Sequence, residues 1–87
     1  MATYSIEFSA TAERQLGRLR KPDLLRVLRA IRSLSEEPYP RGTRKLQGYD
    51  DVYRIRVGTY RLLYSVESAR VTVIVLKVGQ RKDVYRY

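Results

Sequence analysis

The sequence predicts an α+β fold: a helical hairpin packed on one face of a mostly antiparallel four-stranded sheet, in the order β-α-α-β-β-β. Three observations carry that expectation. Val52–Tyr64, VYRIRVGTYRLLY, alternates apolar and polar residues on both sides of Gly58-Thr59, the pattern of two strands joined by a tight turn. Leu24, Val27, Leu28, Ile31 and Leu34 recur at helical spacing. Val71–Val78 is apolar on both faces, as expected of a strand covered on both sides. With 87 residues, 44% hydrophobic and 31% charged, residues 1–87 make one globular domain with a single modest core.

The elements follow in order. Tyr4, Ile6 and Phe8 alternate with Ser5 and Glu7, which predicts a half-buried first strand. Ser9 is placed to cap a first helix, with Glu13 near the positive end of its dipole and Ala12, Leu16 and Leu19 on one face. Lys21-Pro22-Asp23 interrupts the chain, and Pro22 suits the first turn of a second helix. That helix turns Arg26, Arg29 and Arg32 toward solvent. The run from Glu37 to Gly42, with Pro38 and Pro40, ends it, and Lys45-Leu46-Gln47-Gly48 leads back to the sheet. After the hairpin, Glu67–Arg70 forms a second turn into the last strand. Gly79 ends that strand, and Gln80–Tyr87 is a short tail.

Charge and composition narrow the chemistry. Eighteen Lys and Arg against nine Asp and Glu give a net charge of +9. The surplus is uneven, since residues 52–87 hold eight basic and two acidic side chains. Such a concentration points to a polyanionic partner. Cysteine and histidine are both absent, which excludes disulfides, thiol nucleophiles and histidine acid–base catalysis, and predicts neither metal nor cofactor. No apolar run approaches the ~18 residues of a membrane span, and the N-terminus lacks the apolar segment of a signal peptide, so the expected location is cytoplasmic.

The hairpin itself carries the main clue. Pairing about Gly58-Thr59 puts Val57 opposite Tyr60, Arg56 opposite Arg61, Ile55 opposite Leu62 and Arg54 opposite Leu63. Tyr53, Ile55, Val57, Tyr60, Leu62 and Tyr64 then form the inner, core-facing side. The outer side holds Arg54, Arg56, Arg61, Leu63 and Ser65. If the second hairpin has a four-residue turn, Ile74 and Leu76 join this side, giving an arginine cluster beside an uncovered apolar patch. Facing arginines destabilise a sheet, and the nearby carboxylates, Asp50, Asp51 and Asp83, are few. An external anion explains the cluster better, because guanidinium groups grip phosphate with two parallel hydrogen bonds. Tyr85, soon after Arg81, can stack on a base or pack on the sheet as a tail aromatic.

The run KLQGYDDVYRIRVGTYRLLYSV, followed by VIVLKVGQRKDVYRY, resembles the RelE branch of the RelE/ParE toxin superfamily over nearly the whole chain. The resemblance implies a RelE-like, microbial-ribonuclease-like sheet and the toxin of a type II toxin–antitoxin pair. It implies cleavage of messenger RNA in the ribosomal A site, and hence inhibition of translation. Arg54, Arg56, Arg61, Arg81 and Tyr85 match the family's catalytic positions, and Lys45 and Lys82 are additional RNA-binding candidates. Family members carry lysine where this chain has Arg54 and Arg56, and arginine is a poor general base. That role stays open among Tyr85, Lys45, Lys82 and a ribosomal group. The implied partners are the ribosome, its messenger RNA and a cognate antitoxin with an acidic, amphipathic C-terminal helix. Leu63, Ile74 and Leu76 are expected to receive that helix. The free protein is expected to be a monomer, and its complex with the antitoxin a heterotetramer. Two other readings stand beside this one: a ParE-like poison of DNA gyrase and an RNA-binding module without chemistry.

Overall fold

In the computed structural model, which describes residues 3–80, the chain forms β1 (Ser5–Phe8), α1 (Ala10–Leu16), α2 (Lys21–Leu34), β2 (Arg44–Lys45), β3 (Val52–Val57), β4 (Tyr60–Glu67) and β5 (Thr72–Gly79). The sheet order is β1-β5-β4-β3-β2. β1 runs parallel to β5, and the other neighbours are antiparallel. Both helices cover one face, so the α+β expectation holds. The strand count is five where four were expected. The additional strand is β2, whose two residues are too short to show any period.

The hairpin register is the one the sequence predicts: Val57 pairs with Tyr60, Arg56 with Arg61, Ile55 with Leu62 and Arg54 with Leu63. Gly58 has φ +61 while Thr59 does not enter the left-handed region, the pattern of a type II′ turn with glycine first. The second hairpin also has a four-residue connection, residues 68–71, one residue later than the Glu67–Arg70 turn expected, since Glu67 pairs with Thr72.

Helix placement follows from capping and from one apolar stripe. Ser9 Oγ accepts from the Ala12 N–H at 3.0 Å and donates to the Leu76 carbonyl at 2.7 Å. One side chain thus caps α1 and binds it to β5. The Gln15 side chain accepts from the Val78 N–H at 2.7 Å. β1 pairs only as far as Val75, so α1 satisfies β5 backbone groups that β1 is too short to reach. At the start of α2, Tyr60 donates to the Asp23 carboxylate at 3.0 Å, tying that helix to the beginning of β4. Ala12, Leu16, Val27, Ile31 and Leu34 then bury against Leu62, Tyr64, Val66, Val73, Val75 and Val78. Each of the larger aliphatic side chains stabilises the fold by roughly 1.5–3 kcal/mol. Leu28, expected on the buried face, is 38% exposed, because the sheet meets the line of Val27, Ile31 and Leu34 and Leu28 lies a residue round from it.

Arg26 is exposed, as expected of it. Its guanidinium lies 3.1 Å from where a Cβ on Gly58 would sit. Gly58→Ala therefore combines a left-handed conformation with a close approach. It should lower stability by about 1–2 kcal/mol, read as an earlier urea midpoint at unchanged slope.

Candidate functional site: a cationic sheet face

Side chains directly opposite each other in a ladder share a face, so the register assigns every strand residue to one side. Arg54, Arg56 and Arg61 lie together on the face away from the helices, as the alternation predicts. Arg44 pairs with Arg54 and shares that face. Lys77 pairs with Leu63 and does the same. Its place there depends on a bulge: Tyr64 pairs with Val75 and Leu63 with Lys77, leaving Leu76 as the extra residue. Without that insertion, Leu76 would stand opposite Leu63. The face therefore presents five cations across β2, β3, β4 and β5.

Several of the carboxylates are engaged elsewhere. Arg70, at the opposite end of the sheet, pairs with Glu7 at 2.9 Å and Glu67 at 2.5 Å. Asp23 holds Tyr60, and Glu37 accepts from the Tyr39 N–H. Arg61 is held by backbone, its Nη1 donating to the Gln80 carbonyl. The Gln80 side chain donates to Thr59 Oγ1 at 3.0 Å. The end of β5 is thereby fastened to the turn beside Arg61.

A family model described as the ParE toxin of the type II toxin–antitoxin system parDE matches residues 6–85. The chain belongs to the RelE/ParE toxin family. It is 37% identical over 84 residues to toxin RelG of Mycobacterium tuberculosis, covering 95% of this chain and 97% of RelG. Its structure is similar to that of the toxin in the RelBE2 toxin–antitoxin complex of the same organism, with a TM-score of 0.80, 36% identity and coverage of 95% and 97%. The archaeal RelE–RelB complex from Pyrococcus horikoshii is similar at a TM-score of 0.81 and 33% identity, covering 92% of this chain and 97% of that one. Among the described residues, no helix is long and apolar enough to cross a membrane.

Within this toxin-family fold, the predicted site divides. Arg54, Arg56 and Arg61 come together, whereas Arg81, Lys82 and Tyr85 lie outside the described residues. Lys45 does not join the cluster. It pairs with Tyr53, whose ring faces the helices, so Lys45 stands on the opposite side of the sheet from the arginines. Its neighbour Arg44 takes the place expected of it.

The apolar patch is also different from the expectation. Leu63 is fully buried and Leu76 only 6% exposed; with Val52 they form a second small core, against which Leu46 and Ile74 pack. Leu46 arrives from the β2–β3 connection, so the leucines expected to await a partner are covered by the chain itself. Only Ile74 of the expected three is more than marginally exposed.

Tyr64 supports the connection that delivers Arg44. Its hydroxyl donates to the Pro38 carbonyl at 2.7 Å and lies 3.3 Å from Thr43 Oγ1, fastening the α2–β2 connection from the core. Burial pushes the Tyr64 phenol up to about 12. An unfolded tyrosine ionises near ~10, so between about 10 and 12 the unfolded chain releases a proton that the folded one keeps. Stability is whole below that window and declines as pH rises through it. Tyr64→Phe should show a shallower decline of Tm over the same range, measured by calorimetry in parallel with the wild type.

Proposed function

We propose that the protein is an endoribonuclease toxin that cuts messenger RNA on the ribosome and is held in check by an acidic antitoxin. The observation that carries this reading is the row of Arg54, Arg56 and Arg61 on one face of the sheet. In the reaction, the ribose 2′-oxygen attacks the adjacent phosphorus, its proton passes to a base, and the bond to the 5′-oxygen of the next nucleotide breaks. The departing 5′-oxygen takes up a proton from water or a general acid, and a 2′,3′-cyclic phosphate and a 5′-hydroxyl result. Negative charge grows on the non-bridging oxygens, and fixed guanidinium groups are suited to stabilise it. Arg61 is the best-placed donor, because the Gln80 carbonyl holds its orientation before substrate arrives.

The arginines bind and stabilise; they do not take the proton. Lys45 is withdrawn as the base because it stands on the wrong side of the sheet. Tyr85, Lys82 and a ribosomal group remain, with Arg81 assigned beside Arg61 as a second stabiliser. A site that depends on the ribosome for its base and for RNA placement cuts free RNA poorly. The cognate antitoxin is assigned to the same face, where its carboxylates would relieve the facing arginines until it is lost. Relatives of this fold are known as toxin–antitoxin complexes, which supports such a partner.

Purified protein added to ribosomes stalled on a defined message should cut that message, and should leave the same RNA intact without ribosomes. Arg61→Ala and Arg81→Ala should each slow the cut by roughly 10²-fold, the scale of a lost oxyanion donor, with folding preserved. The family model carries the ParE description, so trapping of gyrase–DNA complexes is the second arm of the experiment. Trapping with intact message would replace this reading by the gyrase one.

A further inference from the structure

The shortness of β2 opens a cleft at the edge of the sheet. Its ladder with β3 ends at the Arg44–Arg54 pair, and on the N-terminal side of Arg44 the chain turns away. Arg41, Gly42, Arg44, Arg54, Ile55 and Arg56 line the space between this diverging segment and the free edge of β3, a cleft of about 310 Å³. Four of the six are arginines and none is acidic. Among the described residues, Arg41, Arg44 and Arg56 form no ion pair.

Backbone geometry adds to the charge. The Leu46 N–H donates to the Val52 carbonyl at 2.8 Å, so Val52 directs its backbone groups toward β2. Alternation along a strand gives Arg54 and Arg56 the same direction. Arg54 meets β2, but Arg56 lies past its end, and its N–H opens onto the cleft. Gly42, in the left-handed region at φ +93, leaves the opposite wall clear, with nothing within 4 Å of where its Cβ would be. The wall is also fixed in place. Pro38 and Thr43 are held by the Tyr64 hydroxyl, and the Thr43 N–H donates to the Pro40 carbonyl at 3.0 Å. Arg41 therefore sits between two anchors, which lowers the entropy cost of using it.

We propose that this cleft is a second phosphate subsite, built to take an RNA phosphodiester that flanks the one held at Arg56 and Arg61. Spacing separates the two. Arg44 lies two strands from Arg61, about 10 Å across the sheet, and two residues along, about 7 Å. A polynucleotide carries several phosphates in a row and so matches guanidinium groups spread over that distance. Ile55 is the only apolar side chain of the lining, and a helical protein partner needs apolar anchors that this cleft does not offer. The inference rests on the RNA reading above and extends it to how the strand is held.

The test uses the full chain and a short single-stranded RNA carrying, at one flanking position, either a phosphodiester or an uncharged methylphosphonate. Wild-type protein should bind the methylphosphonate RNA more weakly. Arg41→Gln/Arg44→Gln, whose altered residues are exposed, should melt as the wild type does and bind both RNAs alike. Its plot of log K against log salt should flatten by about 0.7, the slope that one neutralised phosphate gives on a single strand. On ribosomes it should raise KM about tenfold and leave kcat within about twofold, in contrast to Arg61→Ala, where kcat falls. Unchanged salt slope and KM in the double variant would overturn the subsite, as would equal binding of both RNAs by the wild type. A double variant that loses only an acidic helical peptide would reassign the cleft to a protein partner and overturn it as well. Binding with the predicted salt slope but without ribosomal cleavage would sink the nuclease reading and leave the subsite standing.

Discussion

A single register decision, made at Gly58-Thr59, separates this molecule into an apolar side and a cationic side. Side chains alternate along a strand with period two, so slipping the β3–β4 pairing by one residue would carry arginines into the core and Ile55 and Leu62 into water. The glycine turn excludes that slip. Once the register is set, Arg56 must face Arg61, whatever their mutual repulsion. The sheet tolerates this because its stability comes from the other side, where Leu62, Tyr64, Val66, Val73, Val75 and Val78 meet the helices. Repulsion between surface charges costs tenths of a kilocalorie to about 1 kcal/mol per pair. Burial of several aliphatic side chains, at roughly 1.5–3 kcal/mol each, outweighs it.

The edges of the sheet are used with equal purpose. β5 outruns β1, and α1 takes over with Ser9 at Leu76 and Gln15 at Val78. The same stretch of β5 contains the bulge, which keeps Leu76 in the second small core while bringing Lys77 onto the cationic face. At the other edge β2 stops after two residues, and the uncovered margin of β3 becomes a cleft rather than a strand-pairing hazard. Arginines flanking that margin discourage edge-to-edge association of identical chains through like-charge repulsion. One edge is closed by a helix, and the other is guarded by charge.

The legible parts of the sequence are those governed by period. Alternation places Arg54, Arg56 and Arg61 on one face and the hairpin tyrosines and aliphatics on the other; helical spacing finds Val27, Ile31 and Leu34. Irregular features escape it. A two-residue strand has no period, so nothing in the sequence singles out Arg44, and Lys45, one position along, reads as the RNA-side residue. A bulge changes parity without a composition signal, which hides Lys77. Leu63 and Leu76 look uncovered because the segment carrying Leu46 has no regular structure from which its path over them can be read. The recognisable K-L-x-G run is the one hint that this segment is fixed. Its meaning becomes readable only through the Leu46 N–H bond to Val52.

Replacing lysine with arginine at positions 54 and 56 changes what the face can do more than how much charge it carries. A lysine that loses its proton can serve as a base; a guanidinium at working pH cannot. In the proposed reaction, an all-arginine centre on β3 and β4 would hold phosphate and stabilise charge, and another group would remove the proton. On that proposal, several guanidinium groups spread over neighbouring strands would position the reacting strand, and the remaining chemistry would come from what the face docks against. The same face is proposed to take an acidic partner when no RNA is present. Facing charges would thus be the basis of both proposed associations.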